Sequence, residues 1–190
     1  QILDYSRIEA RTLELREGDF NLPAVLESVV APQRVLASRK GLALGLEIAP
    51  EVPAALRGDH GRLGQVLGHL LHNGVKYTQA GKVTLRVGLG DPAVTGGSPD
   101  AGGDQVRLHF SVADTGTGIP PERLGDIFES FTQLEGYMTR SQGGLGLGLA
   151  TCRKLVALMG GSLWAESSPG SGSVFHFIVP FARRLEAVRP

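Results

Sequence analysis

The sequence predicts an α/β fold: a two-layer sandwich of a mixed, mostly antiparallel sheet packed on helices. Three observations carry that prediction. Stretches with apolar residues at helical spacing, opened by Asn or Asp and closed by glycine, alternate with stretches in which every second residue is apolar. The later alternating stretches follow one another with only Gly/Pro/Asp-rich sequence between them, which favours hairpins and antiparallel neighbours. A length of 190 residues suffices for one substantial core and favours one main domain over two.

Taken in order, "ILDYSRIEARTLEL" spaces Ile2, Leu3, Tyr5, Ile8 and Leu15 at loose helical intervals, and Gly18 can end the run, so it reads as the tail of a longer helix. Asn21 followed by Pro23 is a cap with an early-turn proline, opening a helix to about Lys40 that Gly41 stops. "LALGLEIA" alternates as a strand. Asp59 caps the next helix, to about Thr78, and "GKVTLRVGL" is a strand after it. The loop "DPAVTGGSPDAGGD", 91–104, joins that strand to "QVRLHFSVAD" as a hairpin. "PPERLGDIF" reads as a short helix, 129–143 as a polar loop and 145–160 as a helix. "SLWAES" and "SVFHFIVP" then close a hairpin around the turn from Pro169 to Gly172. There is no internal repeat.

Composition excludes several functions. Lys plus Arg equals Asp plus Glu, 19 against 19, so no global field draws the chain to nucleic acid or to an anionic membrane, and any anion site must be local. A single cysteine, Cys152, excludes an internal disulfide and supplies too few thiolates for structural zinc, which fits a reducing, cytoplasmic setting with Cys152 a buried spectator. No run approaches ~18 consecutive apolar residues and no secretory signal opens the chain, so the chain as given is expected to be soluble. Its start at Gln1 suggests a fragment whose parent can carry a membrane anchor elsewhere.

Glycine fills 27 positions, about twice its ordinary share, and one cluster stands out: "GGLGLGLATCRKLVALMGG", 143–161. A P-loop needs GxxxxGK and then Ser or Thr, which the chain lacks; a dinucleotide fingerprint needs GxGxxG directly after a strand, whereas here GxGxG follows a polar loop. Two readings stand: close packing at a helix entry, or a phosphate cradle formed by glycine backbone and the unsatisfied N–H groups of the following helix.

Two further features bear on that choice. Along "DHGRLGQVLGHLLHNGVKYT" the helical period places Leu63, Val66, Leu67, Leu70 and Leu71 on a core flank, and Arg62, Gln65, His69, Asn73 and Lys76 in one narrow arc beside it. The arc is either a solvated face or a site: Asn73 has a carbonyl able to ligate Mg²⁺, Lys76 suits phosphate, and Tyr77 offers a flat ring. Gly64, Gly68 and Gly74 weaken this helix by up to ~1 kcal/mol each, which suggests close approach of neighbouring backbone. "SVADTGTGIP" ends a strand on Asp114, either a turn aspartate or an acceptor for the exocyclic amine of adenine.

"HLLHNGVKYT", "DTGTGIP", "FESF" at 128–131 and "GGLGLGL", in this order, resemble the N, G1, F and G2 boxes of the catalytic ATP-binding domain of histidine kinases, which has the Bergerat fold shared with gyrase and heat-shock-chaperone ATPases. The flanking stretches look like those of hybrid sensor kinases, ethylene receptors among them. The resemblance implies that residues 1–18 are the end of the dimerisation helix and its linker, 19–182 the ATP-binding domain and 183–190 a tail. It implies that Asp114 takes the adenine amine, Asn73 ligates Mg²⁺, and Lys76 and Tyr77 meet phosphate and nucleoside. Gly116 and Gly118 would shape the pocket floor, and Gly144, Gly146 and Gly148 the phosphate cradle. Thr132 to Gly143, with Arg140, would form an ATP lid hinged by Phe128 and Phe131.

The implied ligands are ATP or ADP with Mg²⁺. The implied partners are a histidine-bearing dimerisation segment and a response-regulator receiver domain, with the full-length protein a homodimer. This sequence departs from the pattern at His69, where asparagine is usual, at Gly74, Ser130 and Leu145. None of His60, His69, His72, His109 and His176 sits in the phosphoacceptor motif, so no catalytic residue is expected within the fragment itself. The leading expectation is a kinase module; the alternatives are a nucleotide-binding interaction module without turnover and an ATPase of the gyrase type.

Overall fold

The computed structural model describes residues 12–90, 104–129 and 147–184. Seven strands and three helices make up the described fold: β1 (Gly18–Asn21), α1 (Leu22–Arg39), β2 (Ala43–Ile48), β3 (Ala55–Gly58), α2 (His60–Tyr77), β4 (Lys82–Leu89), β5 (Gln105–Asp114), α3 (Gly148–Leu158), β6 (Ser162–Ser167) and β7 (Ser173–Arg183). The strands form one sheet in the order β1-β3-β7-β5-β4-β2, with β6 also on β7. Only β2 with β4 is parallel; every other described pair is antiparallel. The fold is thus the predicted mixed, mostly antiparallel sandwich.

Strand alternation builds the inner layer. Val83, Leu85 and Val87 of β4, Val106, Leu108, Phe110 and Val112 of β5, and Phe175, Phe177, Val179 and Phe181 of β7 are all buried. The helices close over them with Leu22, Leu26 and Val30 from α1, Leu63, Val66, Leu67, Leu70 and Leu71 from α2, and Leu155 and Val156 from α3. Period two sends the intervening residues to the opposite face, where Trp164, His176 and His109 stack their rings. Cys152 is buried inside this core, which pushes its thiol up to about 12, so it is an inert packing residue.

The helix starts follow their caps. Asn21 Oδ1 accepts from the Ala24 amide at 2.9 Å, and Gly41 leaves α1 at φ +69°. Asp59 Oδ1 accepts from the Arg62 amide at 2.9 Å, while its other oxygen accepts from the Arg16 amide at 2.7 Å.

Three expectations change, and two short strands have no counterpart in the sequence pattern. Residues 12–17 are not helical: the Arg16 amide bonds to Asp59, Leu13 and Leu15 pack against the core, and Gly18 opens a strand paired with β3, so this backbone is spent on the domain. The rest of that expected helix lies outside the described residues, as do the 91–103 loop and most of the 129–143 loop. β1 and β3, four residues each, have no legible alternation. "PPERLGDIF" is two separate 3-10 turns, Pro121–Arg123 and Asp126–Phe128, broken around Gly125. The α2 glycines admit side chains rather than backbone: Gly64 and Gly68 face Val29 of α1, and Gly74 faces Val83 of β4.

Candidate functional site

α2 carries Asn73, Lys76 and Tyr77 and is the wall on which Asp114, Gly116 and Gly148 pack. Its C-terminal turn meets the end of β5. A Cβ on Gly74 would lie 3.7 Å from the Asp114 Cβ, and one on Gly116 would lie 2.6 Å from the Tyr77 carbonyl oxygen and 2.8 Å from Asp114 Oδ1. Only glycine at 116 lets the strand end fold this tightly against the helix. Gly74, Tyr77, Asp114 and Gly116 therefore share one corner, and Asn73 and Lys76 belong to the same C-terminal stretch of α2.

The corner is stitched from several segments. Asp114 Oδ1 accepts from the Gly116 amide at 2.8 Å, an Asx turn that accounts for the Asp-Thr-Gly order. The Thr115 hydroxyl accepts from the Lys82 amide at 3.0 Å, closing the strand end onto β4. Gly118, at φ +71°, sits where a Cβ would be 2.0 Å from the Ser168 carbonyl oxygen, so the β6–β7 turn underlies this loop. There the Ser167 hydroxyl accepts from the Ile119 amide at 2.7 Å and donates to the Gly172 carbonyl at 2.8 Å.

α2 also meets the start of α3. A Cβ on Gly148 would overlap the His69 ring, 1.9 Å from Cε1 and 2.0 Å from Nε2. Gly148 thus receives an imidazole at the first turn of α3, where backbone N–H groups lack helical partners; the Leu147 cap supplies no side-chain bond to them. Nearby, Phe128 sits edge-on to Phe175 with Arg153 of α3 over its ring. Arg140, Gly144 and Gly146, with Ser130, Phe131 and Leu145, lie outside the described residues.

Burial raises the Asp114 carboxyl above the ordinary range, opposed by backbone hydrogen bonds from Gly116 and Ser173. At neutral pH it is an under-solvated acceptor at a strand end. Burial also lowers His69 to about 4, with the positive fields of His72 and Lys76 adding to it, so its imidazole is neutral. The Lys76 ammonium lies 4.9 Å from the Tyr77 ring centroid. Asn73 is half-buried, and its amide makes no hydrogen bond among the described residues. The Thr78 hydroxyl is fully buried and has no hydrogen-bond partner among the described residues.

Unmet polar capacity of this kind suits a polar ligand. The donors fit Mg²⁺ only in company: no group of three His, Cys, Asp or Glu among the described residues could cage a metal. Asn73 could thus serve Mg²⁺ only alongside phosphate oxygens, which is how that ion is ordinarily bound. Sequence reasoning missed Lys40, whose ammonium caps the C-terminus of α2, and the Ser167–Ser173 pair below Asp114. Lone lysines and serines carry no pattern that would have found them.

Comparison with known proteins places the chain in a family. The profile described as histidine kinase-, DNA gyrase B-, and HSP90-like ATPase matches residues 58–183. The chain is 39% identical over 182 residues to the sensory/regulatory protein RpfC of Xanthomonas campestris, covering 96% of this chain and 24% of that protein. It is 37% identical over 179 residues to the sensor histidine kinase RcsC of Escherichia coli, covering 94% and 17% respectively. The chain thus spans a quarter or less of the length of these relatives. Among solved structures, full-length ShkA in complex with AMPPNP superposes with a TM-score of 0.79 at 33% identity, covering 99% of this chain and 36% of that one. The catalytic domain of histidine kinase ThkA superposes at 0.64 with 25% identity, covering 87% and 97%. Among the described residues no helix is long and apolar enough to cross a membrane. The chain belongs to the histidine kinase-, DNA gyrase B- and HSP90-like ATPase family.

Proposed function

We propose that this domain binds ATP with Mg²⁺ in the corner between α2, the end of β5 and the start of α3, and presents the γ-phosphate to a histidine outside these residues. The observation that carries the reading is the convergence on α2: Asp114 and Gly116 pack on its last turn and Gly148 packs on His69 one turn and more earlier. A triphosphate nucleotide needs that layout, with a base acceptor at one end and helix N–H groups at the other.

Each residue then has a task. The under-solvated Asp114 carboxylate accepts from the adenine amine, a donor additional to the Gly116 and Ser173 amides. Gly116 and Gly118 keep the loop low under the base. Lys76 neutralises phosphate charge and Tyr77 packs on the nucleoside. Gly148, with Gly144 and Gly146, brings backbone N–H groups to the phosphates beneath a lid that contains Arg140. Asn73 would hold Mg²⁺, which when bound would supply charge neutralisation to the phosphates. The acceptor imidazole nitrogen forms its bond to the γ-phosphorus as the bond to the β-bridging oxygen breaks and ADP leaves. The domain contributes position and charge neutralisation to that transfer.

The same reading assigns residues 1–18 to the end of the dimerisation helix and linker, 19–182 to the ATP-binding domain and 183–190 to a tail. A histidine-bearing segment of the same protein, a receiver domain and a second copy of the full-length chain are the implied partners. Calorimetry with ATP and ADP, with and without Mg²⁺, followed by phosphate transfer onto an added histidine-bearing segment, tests it. Tight metal-dependent ATP binding with transfer is expected. Binding without transfer would reduce the domain to a nucleotide-dependent interaction module, and no binding would remove the site altogether.

A further inference from the structure

The C-terminal turn of α2 is held from outside by one side chain. The Lys40 ammonium donates to the Val75 carbonyl at 2.6 Å, the Lys76 carbonyl at 3.0 Å and the Thr78 carbonyl at 2.8 Å. An ammonium has three N–H groups, and all three are used. Of the other carbonyls of the turn, Gly74 accepts from the Thr78 amide at 3.1 Å, and the Tyr77 oxygen packs against Gly116. The last carbonyls of a helix have no partner within it and carry the negative end of its dipole. Here a cation reaches them from the residue that ends α1.

We propose that Lys40 is a positioning residue of the nucleotide site, fixing the α2 turn from which Lys76 and Tyr77 project. The claim rests on the ATP-binding reading above, and its mechanism is local. Lys76 and Tyr77 stand on the turn that Lys40 holds, and the Tyr77 oxygen is the surface on which the Asp114–Gly116 loop rests. Releasing the ammonium leaves the Val75, Lys76 and Thr78 oxygens to water, so the turn frays and the loop loses its seat. Lys40 is 36 residues from Lys76 in sequence, and it touches neither ATP nor the reacting atoms.

The test uses this chain with Lys40→Ala, and Lys40→Gln as a milder variant that keeps two N–H donors and a better chance of folding. Amide hydrogen exchange at 76–78 reads the turn without any nucleotide, and calorimetry reads ATP affinity. Lys40→Ala should lose protection at 76–78 while the β5 and β7 amides stay protected, and should weaken ATP about tenfold, as expected for losing charge-assisted bonds. Added ethylammonium should restore both, and tetramethylammonium, which has no N–H, should restore neither. Unchanged protection at 76–78 in both variants overturns the proposal, as does lost affinity that ethylammonium fails to recover. A wild-type chain that binds no ATP but whose turn still loosens in Lys40→Ala would count against the ATP-binding reading instead.

Discussion

The His69 imidazole occupies the space that a side chain at Gly148 would need: a Cβ there would fall 1.9 Å from its Cε1. This makes the pair interdependent, since the histidine needs a glycine and the glycine's backbone is covered by the histidine. Gly148→Ala alone should be destabilising by roughly 1–3 kcal/mol, the usual result of overpacking a fitted contact. Combining it with His69→Ala should recover most of that loss, because the methyl then enters vacated space. A double-mutant cycle of urea midpoints checks the coupling, and additive losses would show that the ring moves aside without strain.

Asp114 should separate binding from stability. Its carboxyl is raised by burial, and a group whose folded pKa is raised contributes stability at low pH that is lost as pH rises through that value. Ionised Asp114 is therefore a strained feature of the free domain, and Asp114→Asn should leave thermal stability at pH 7 unchanged or slightly higher. The same variant should weaken ATP by ~1–3 kcal/mol through the lost charge-assisted bond. Wild-type affinity should also fall as pH drops through the raised pKa, while the Asn variant shows no such dependence. Calorimetry on both proteins as pH is lowered from neutral reads all of this.

Acid should undo the domain through its imidazoles. His69 is lowered to about 4, and burial also lowers His109 and His176. A group depressed in the folded state contributes stability present above its unfolded value of 6.5 and lost as pH falls through its folded value. For His69 that window runs from 6.5 to about 4 and amounts to roughly 3 kcal/mol when complete. Urea melts at pH 7 and pH 5 should show the wild type losing more stability than His69→Asn; equal losses would place the acid sensitivity in other groups.

Much of this was legible because side-chain pattern and backbone state coincide. Alternation in β4, β5 and β7 and the caps at Asn21 and Asp59 fix those elements locally, so sequence alone reaches them. β1 and β3 escaped because strands of four residues owe their state to partners elsewhere in the chain. The 12–17 segment escaped for the same reason, its helical spacing overruled by the Arg16 to Asp59 bond. In the candidate site, Asp114, Gly116 and Gly118 announce themselves as Asp-x-Gly-x-Gly after a strand. The role of Lys40 depends on α1 ending beside α2, and the meeting of His69 with Gly148 on two helices crossing, neither of which has a local signal.

Asp59 carries two bonds that substitution can separate. Asp59→Ala removes the α2 cap, worth about 1 kcal/mol, and also the acceptor for the Arg16 amide. Asp59→Asn keeps an oxygen for the Arg62 amide, yet turns its other group into a donor facing Arg16. The Asn variant should retain α2 amide protection while residues 12–17 exchange faster; Asp59→Ala should lose both. Hydrogen exchange resolved by residue distinguishes these outcomes, and an Asn variant with full protection at Arg16 would mean the segment is held by Leu13 and Leu15 instead.

Asn73 should affect metal use more than folding. Its amide is half-buried and makes no hydrogen bond among the described residues, so Asn73→Asp removes no internal partner and should shift stability by less than about 0.5 kcal/mol, as for surface changes. The added carboxylate is a harder and charged ligand, which strengthens attraction to a divalent ion while repelling the triphosphate beside it. ATP binding by Asn73→Asp should therefore weaken without Mg²⁺ and recover steeply as Mg²⁺ rises, giving a larger metal dependence than the wild type. Asn73→Ala should show a smaller one. If both variants follow the wild-type Mg²⁺ titration while folding normally, the metal is held by phosphate and water without this helix, and the polar arc of α2 serves the nucleotide through Lys76 alone.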